Sequence, residues 1–142
     1  MAISYYELAK TNDDIIWPGG TLIFDQVVSS EGSQIYYDPA TGIIGFLDPG
    51  YYYIDWFVAP QFGLTTDGSN WAIQTLMSGL SFVGSSHTRV SVTTGFAIIH
   101  AEESGEEARL VNVSSNSLTL SKVVQNKAGL IVYSIAVMNF AP

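Results

Sequence analysis

The sequence predicts an all-β fold, an antiparallel sandwich, and three observations carry that expectation. Turn signals made of Gly, Pro, Asp, Asn and Ser recur about every 8 to 14 residues. The runs between them are short and rich in Ile, Val, Tyr, Phe and Thr, which suit a pleated, half-buried surface. No helical spacer of about 10–15 residues separates the runs, so the crossovers of a parallel sheet have nowhere to form.

Taken in order, the first run is 3–9, ahead of the Pro18-Gly19-Gly20 turn. Runs at 21–28, 34–37 and 42–47 follow, stopped by Glu31-Gly32-Ser33, Asp38-Pro39 and Asp48-Pro49-Gly50. The run 51–58 ends before Pro60. In "WAIQTLMSGL" the spacing of Ile73, Leu76, Met77 and Leu80 also fits a helix. Gly79 inside that window and the β-rich flanks favour two strands, 71–77 and 80–83, hinged at Ser78-Gly79. Runs at 90–100, 109–113, 117–121 and 130–140 complete the chain, parted by Ser104-Gly105, Ser114-Ser115-Asn116 and Asn126-Lys127-Ala128-Gly129.

The runs differ in how many faces they hide. A strand sends alternate side chains to opposite faces. "ARLVNV" and "SLTLS" read as half-buried strands with a wet side. "GIIGFL", "YYYIDWFV", "GFAIIH" and "LIVYSIAVMNF" are apolar on both faces. In "YYYIDWFV", Tyr52, Ile54, Trp56 and Val58 form one face, and Tyr51, Tyr53, Asp55 and Phe57 the other. Burying a large apolar side chain is worth roughly 1.5–3 kcal/mol. Tyr51, Tyr53 and Phe57 therefore put several kcal/mol at stake, against a net domain stability of about 5–15 kcal/mol. Either one core folds over both faces, or one sheet of a sandwich covers its outer face with another subunit. The second reading is the expectation here.

Composition points the same way. A chain of 142 residues is expected to form one domain, residues 1–142. It is 47% hydrophobic and 13% charged, about half the usual charged share, so it hides more surface than a monomer readily can. No run approaches the roughly 18 apolar residues of a membrane span, so no membrane insertion is expected. The net charge of −8 and the scattered Lys10, Arg89, Arg109, Lys122 and Lys127 argue against nucleic acid. No cysteine is present, which excludes disulfides and thiolate metal sites. "MAISYYELAK" has neither a basic nor an apolar leader region, so export by a signal peptide is not expected unless the chain is part of something longer.

At this point the residues resemble a family. "DPATGIIGFLDPGYYYIDWFV" is similar to the heart of the tumour necrosis factor-like and complement globular-head jelly rolls, with Gly50, Tyr52, Ile54 and Trp56 at the motif positions. Within that family it most resembles the C-terminal domains of bacterial collagen-like proteins of the spore exosporium. "ISYYELAKTNDDIIWPGGTLIFD", "WAIQTLMSGLSFVGSS", "VTTGFAIIHAEESGEEARLVNVSSNSLTLS" and "AGLIVYSIAVMNF" resemble its other segments in order. The resemblance implies a ten-stranded jelly roll assembled as a homotrimer, on the spore surface or otherwise extracellular. It implies Tyr52, Ile54, Trp56 and Val58 in the core. It also implies Tyr51, Tyr53, Asp55 and Phe57 toward the threefold axis, joined by Tyr133 and Ile135 of the closing strand. Asp55 departs from the family's apolar choice: three carboxylates near an axis repel unless protonated, hydrated or bound to a cation. No Gly-X-Y repeat is present, so a collagen stalk is absent or lies upstream.

No enzyme is expected. The sequence lacks G-x-S-x-G, H-E-x-x-H, a phosphate-binding loop and a dinucleotide fingerprint. Ser85, Ser86 and His87 are adjacent in sequence, which is a loop signal rather than a nucleophile with its base, and His100 reads as a strand-end residue. A cupin-like or hydrolytic sandwich needs a histidine cluster that two isolated histidines do not make. No cofactor is expected. Asn12 to Asp14 and Glu102 to Glu107 offer oxygen ligands that calcium could use, without the spacing of a calcium loop. Asn112-Val113-Ser114 fits the glycosylation triplet but lies in a strand. The leading functional expectation is a non-enzymatic trimeric surface module for assembly and adhesion, with a host-surface protein or glycan as partner. The rival is a phage or bacterial receptor-binding or carbohydrate-binding knob on the same plan.

Overall fold

A computed structural model of the chain describes residues 3–61, 68–86, 92–103 and 105–135. Runs 90–91 and 136–140, Arg89 and His87 lie outside the described residues. The strands are β1 (Tyr5–Lys10), β2 (Ile15–Ile16), β3 (Gln26–Glu31), β4 (Ile35–Tyr37), β5 (Ile44–Phe46) and β6 (Gly50–Val58). They continue with β7 (Ser69–Thr75), β8 (Ser81–Ser86), β9 (Thr93–Ala101), β10 (Glu106–Asn112), β11 (Leu118–Thr119) and β12 (Ala128–Ile135). No helix occurs among the described residues.

Ten of these strands form two five-stranded sheets, in the orders β3-β1-β12-β6-β9 and β4-β5-β10-β7-β8. β2 and β11 form a separate short ribbon. Every named pairing is antiparallel. Beside the hairpins β4-β5 and β7-β8, several neighbours in a sheet are far apart in sequence, as β1 with β12, β5 with β10 and β6 with β9, which is the wrapped connectivity of a jelly roll.

The period-two pattern builds the core directly. On the first sheet Tyr52, Ile54, Trp56 and Val58 of β6 are all buried, with Leu130 and Val132 of β12 and Ala97 and Ile99 of β9. The second sheet answers with Ile44, Phe46, Leu110, Trp71 and Ile73. Phe46 and Tyr52 meet across the interior with ring centroids 4.7 Å apart. The Tyr52 hydroxyl escapes burial unpaired by donating to the Asp48 carbonyl at 2.6 Å.

Three expectations need correction. The run 21–28 is not one strand: residues 21–25 form a strap and β3 begins only at Gln26. The strap lies along β10, with Leu22 N–H donating to Leu110 O at 2.8 Å and a Thr21–Val111 bridge. Tyr37 pins it, its hydroxyl accepting from Phe24 N–H at 2.7 Å and donating to Phe24 O at 2.9 Å. That burial raises the Tyr37 pKa to about 12. Second, "ARLVNV" has no wet side at its far end: Val111 and Asn112 are buried, and the strap and the Trp17–Gly20 turn pair with that end of β10 through backbone hydrogen bonds. Third, the outer face of "GIIGFL" is open only in part: Leu47 is exposed, but Gly45 is covered. The Tyr36 ring lies flat over Gly45, where a Cβ would come within 1.8 Å of it.

Candidate functional site: the outward face of the first sheet

The side chains of β6 that do not enter the core point away from it, and register places them in rows with their neighbours. Tyr5, Tyr133, Tyr53 and Ile98 lie side by side across β1, β12, β6 and β9. Glu7, Ile131, Asp55 and Phe96 form the next row, and Ile135, Tyr51 and His100 align on the other side. Phe96 is 71% exposed, Ile98 55%, Ile131 44% and Tyr51 42%. Tyr53, Phe57 and Ile135 are half-buried, while Asp55 and Tyr133 are exposed. Phe57 lies against Gly129, where a Cβ would come within 2.5 Å of its ring.

Aromatic contacts organise the face without covering it. Tyr53 and Tyr133 pack at 5.3 Å, and Tyr51 stacks on His100 at 4.6 Å with rings 19° apart. The Tyr53 hydroxyl points to Asp55 Oδ2 at 3.4 Å. Lost hydration, then the Asp55 carboxylate beside it, raises the Tyr53 pKa. The formal charges in these rows are Glu7 and Asp55, both negative. Tyr51, Tyr53, Asp55, Phe57, Tyr133 and Ile135 thus share one outward face, and Tyr52, Ile54, Trp56 and Val58 share the inward one.

Several residues of the acidic patches are engaged within the chain. Lys10, although charged, is 1% exposed, and its ammonium donates to Asn12 Oδ1 at 2.8 Å and Ile23 O at 2.9 Å while pairing with Asp14 at 3.1 Å. Lys127, also buried, pairs with Asp13 at 3.5 Å and donates to Val124 O at 3.0 Å. Each residue of the Asn12–Asp14 patch therefore has a lysine partner. Glu106 is buried and accepts backbone N–H groups of the β7–β8 turn, and Glu107 accepts the Tyr36 hydroxyl at 3.1 Å. Asn112 is fully buried and donates to Ile16 O and Asn116 O, so it offers no free amide for a glycan.

Sequence reasoning missed both buried lysines and the strap. The lysines carried no apolar pattern, and only the loop folding back onto β1 and β12 reveals their partners. His100 lies outward on β9, in contact with Tyr51.

No family model matches the sequence, and no curated protein does. Solved structures match its shape. Murine APRIL superposes with a TM-score of 0.71 at 14% identity, covering 94% of this chain and 100% of that one. The globular domain of the zebrafish complement 1qA protein gives 0.64 at 11% identity, covering 96% and 99%. Eiger, a tumour necrosis factor from S. frugiperda, gives 0.64 at 9% identity, covering 99% and 96%. At these identities the likeness establishes the fold alone: the chain is an all-β jelly roll of the tumour necrosis factor and complement globular-head type.

Proposed function

We propose that the protein is a non-enzymatic recognition head that works as a homotrimer, closed through the outward face of the first sheet. One observation carries the reading: an aromatic and aliphatic face spans β12, β6 and β9, with Asp55 as its carboxylate and neither lysine nor arginine in its rows. A patch of that breadth is larger than soluble monomers usually leave exposed. Closed cyclic symmetry removes it without open-ended growth. The jelly-roll neighbours support the fold this requires. The finer reading is a surface module of the collagen-like spore proteins, adhering to a host protein or glycan outside the cell. It rests on the motif likeness around Gly50, Tyr52, Ile54 and Trp56.

Hydroxyl-radical footprinting tests the assembly face. Tyr51, Tyr53 and Tyr133 are expected to be protected in the assembled protein and to react once it is dissociated. Equal reactivity in both states contradicts the proposal. The spore-surface reading is checked in the upstream gene sequence, where Gly-X-Y triplets support it and a phage fibre shaft replaces it with the rival.

A further inference from the structure

The two sheets approach each other along their outermost strands, β8 and β9, and the gap between these is wedge-shaped. Near one end they close tightly: a Cβ on Gly84 would lie 2.3 Å from Thr94 O, and one on Gly95 2.4 Å from the Trp56 ring. Toward the turns at Gly79 and Gly105 they part, opening a cleft of about 450 Å³. Phe82, Ile99 and Thr75 line its depth, and the exposed Leu80, Met77 and Ile98 line its sides. Among the described residues neither β8 nor β9 has a second neighbour in its sheet, so each presents an edge suited to strand addition.

The cleft is charged as well as apolar. Glu106, 4% exposed, lines it, and its carboxylate accepts from the backbone N–H of Met77 (2.8 Å), Ser78 (3.2 Å) and Glu107 (3.0 Å). Burial alone favours the neutral acid, but these hydrogen bonds outweigh it and hold the Glu106 pKa below the ordinary glutamate value. Among the described residues it has no cationic partner: both ion pairs lie at the other end of the sandwich, with Lys10 and Lys127. Glu102 stands at the mouth beside His100, and the adjoining hollow adds Glu103. A desolvated anion without a counter-ion, in an apolar cleft between two open sheet edges, defines its complement.

We infer that this cleft takes an extended segment of a partner protein, with a lysine or arginine against Glu102 and Glu106 and an apolar side chain between Leu80 and Phe82. The inference rests on the recognition reading, and the cleft shares Ile98 and His100 with the edge of the face proposed to close the trimer.

Fluorescence anisotropy with a labelled peptide of about eight alternating lysines and leucines tests it, with glutamate–leucine and lysine–serine peptides as controls. The lysine–leucine peptide is expected to bind once per chain and the controls about tenfold or more weaker, a difference of about 1.4 kcal/mol. Glu102→Lys and Leu80→Ser, both at exposed positions, are each expected to weaken binding about tenfold with the melting temperature kept. No binding, equal binding of the lysine–serine peptide, or indifference to both substitutions overturns the inference. A chain that binds the peptide yet weighs as a monomer keeps the cleft and loses the trimer. If Leu80→Ser changes the assembly mass and not the peptide affinity, a second copy fills the cleft and the inference falls.

Discussion

The two sheets carry the same alternation but dispose of their outer faces differently. On the second sheet the chain attends to its own strand: the strap at residues 21–25 and the Trp17–Gly20 turn pair along the far end of β10, where Val111 and Asn112 are buried, while Tyr36 closes over Gly45. What remains there is mixed: Arg109 donates to Thr21 and Glu107 accepts from Tyr36, while Val83 of β8 is exposed. On the first sheet no described segment crosses Tyr51, Tyr53, Ile131, Phe96 and Ile98, which stay open. The same physical need is met within the chain on one side and, in the function proposed above, by another chain on the other. An apolar outer face is thus no evidence for an interface until the chain's own loops have been placed.

The largest expected effect comes from charging the open face. Tyr53→Glu sets a new carboxylate near Asp55 and is expected to lower both yield and melting temperature, because the proposed trimer couples folding to assembly. A stable monomer recovered at normal yield would break the comparison. Next is Lys10→Met, which removes a buried ammonium from Asn12, Asp14 and the Ile23 carbonyl. A loss of about 2–3 kcal/mol in denaturant unfolding is expected, since breaking a buried pair leaves its partners unsatisfied. Asn112→Ala frees the strapped side: Ile16 O and Asn116 O lose a donor and Ser114 N–H an acceptor. About 2 kcal/mol should be lost, with the assembly mass unchanged. A change of mass on that substitution would mean the strap also serves the interface.

Acid should act through Glu106 and Asp25. Burial disfavours both charges, but backbone donors to Glu106, and the Thr11 hydroxyl and N–H to Asp25, win and depress both pKa values, Asp25 to about 2. Groups with depressed folded values contribute stability above their unfolded pKa and lose it as the pH falls through the folded one. The stability they add is therefore complete above about pH 4.5 and disappears progressively toward about pH 2, which acid titration of the melting temperature measures. The smallest effect is expected from Asp55→Asn. If three carboxylates converge, removing them stabilises the assembly by about 1 kcal/mol and weakens its dependence on salt.

The sequence made β6 legible residue by residue, because period two admits only two assignments and a shift of one would have placed Asp55 in the core. Its neighbours β9 and β12 followed from the same alternation. The strap was misread as strand because Leu22 and Phe24 are buried like strand residues while their hydrogen bonds go to Leu110 and the Tyr37 hydroxyl. β2 and β11, two residues each, are too short for a period to show. The roles of Lys10, Lys127 and Glu106 depend on groups brought together only by folding, and no local pattern announces them.

The central claim is that the open face of the first sheet is closed by copies of the same chain. Light scattering coupled to size exclusion at micromolar concentration tests it most directly. A single species at three times the 15.4 kDa chain mass is the expected result. A well-behaved species at 15.4 kDa would contradict it, leaving the tyrosine face of β6 and β12 exposed in solution.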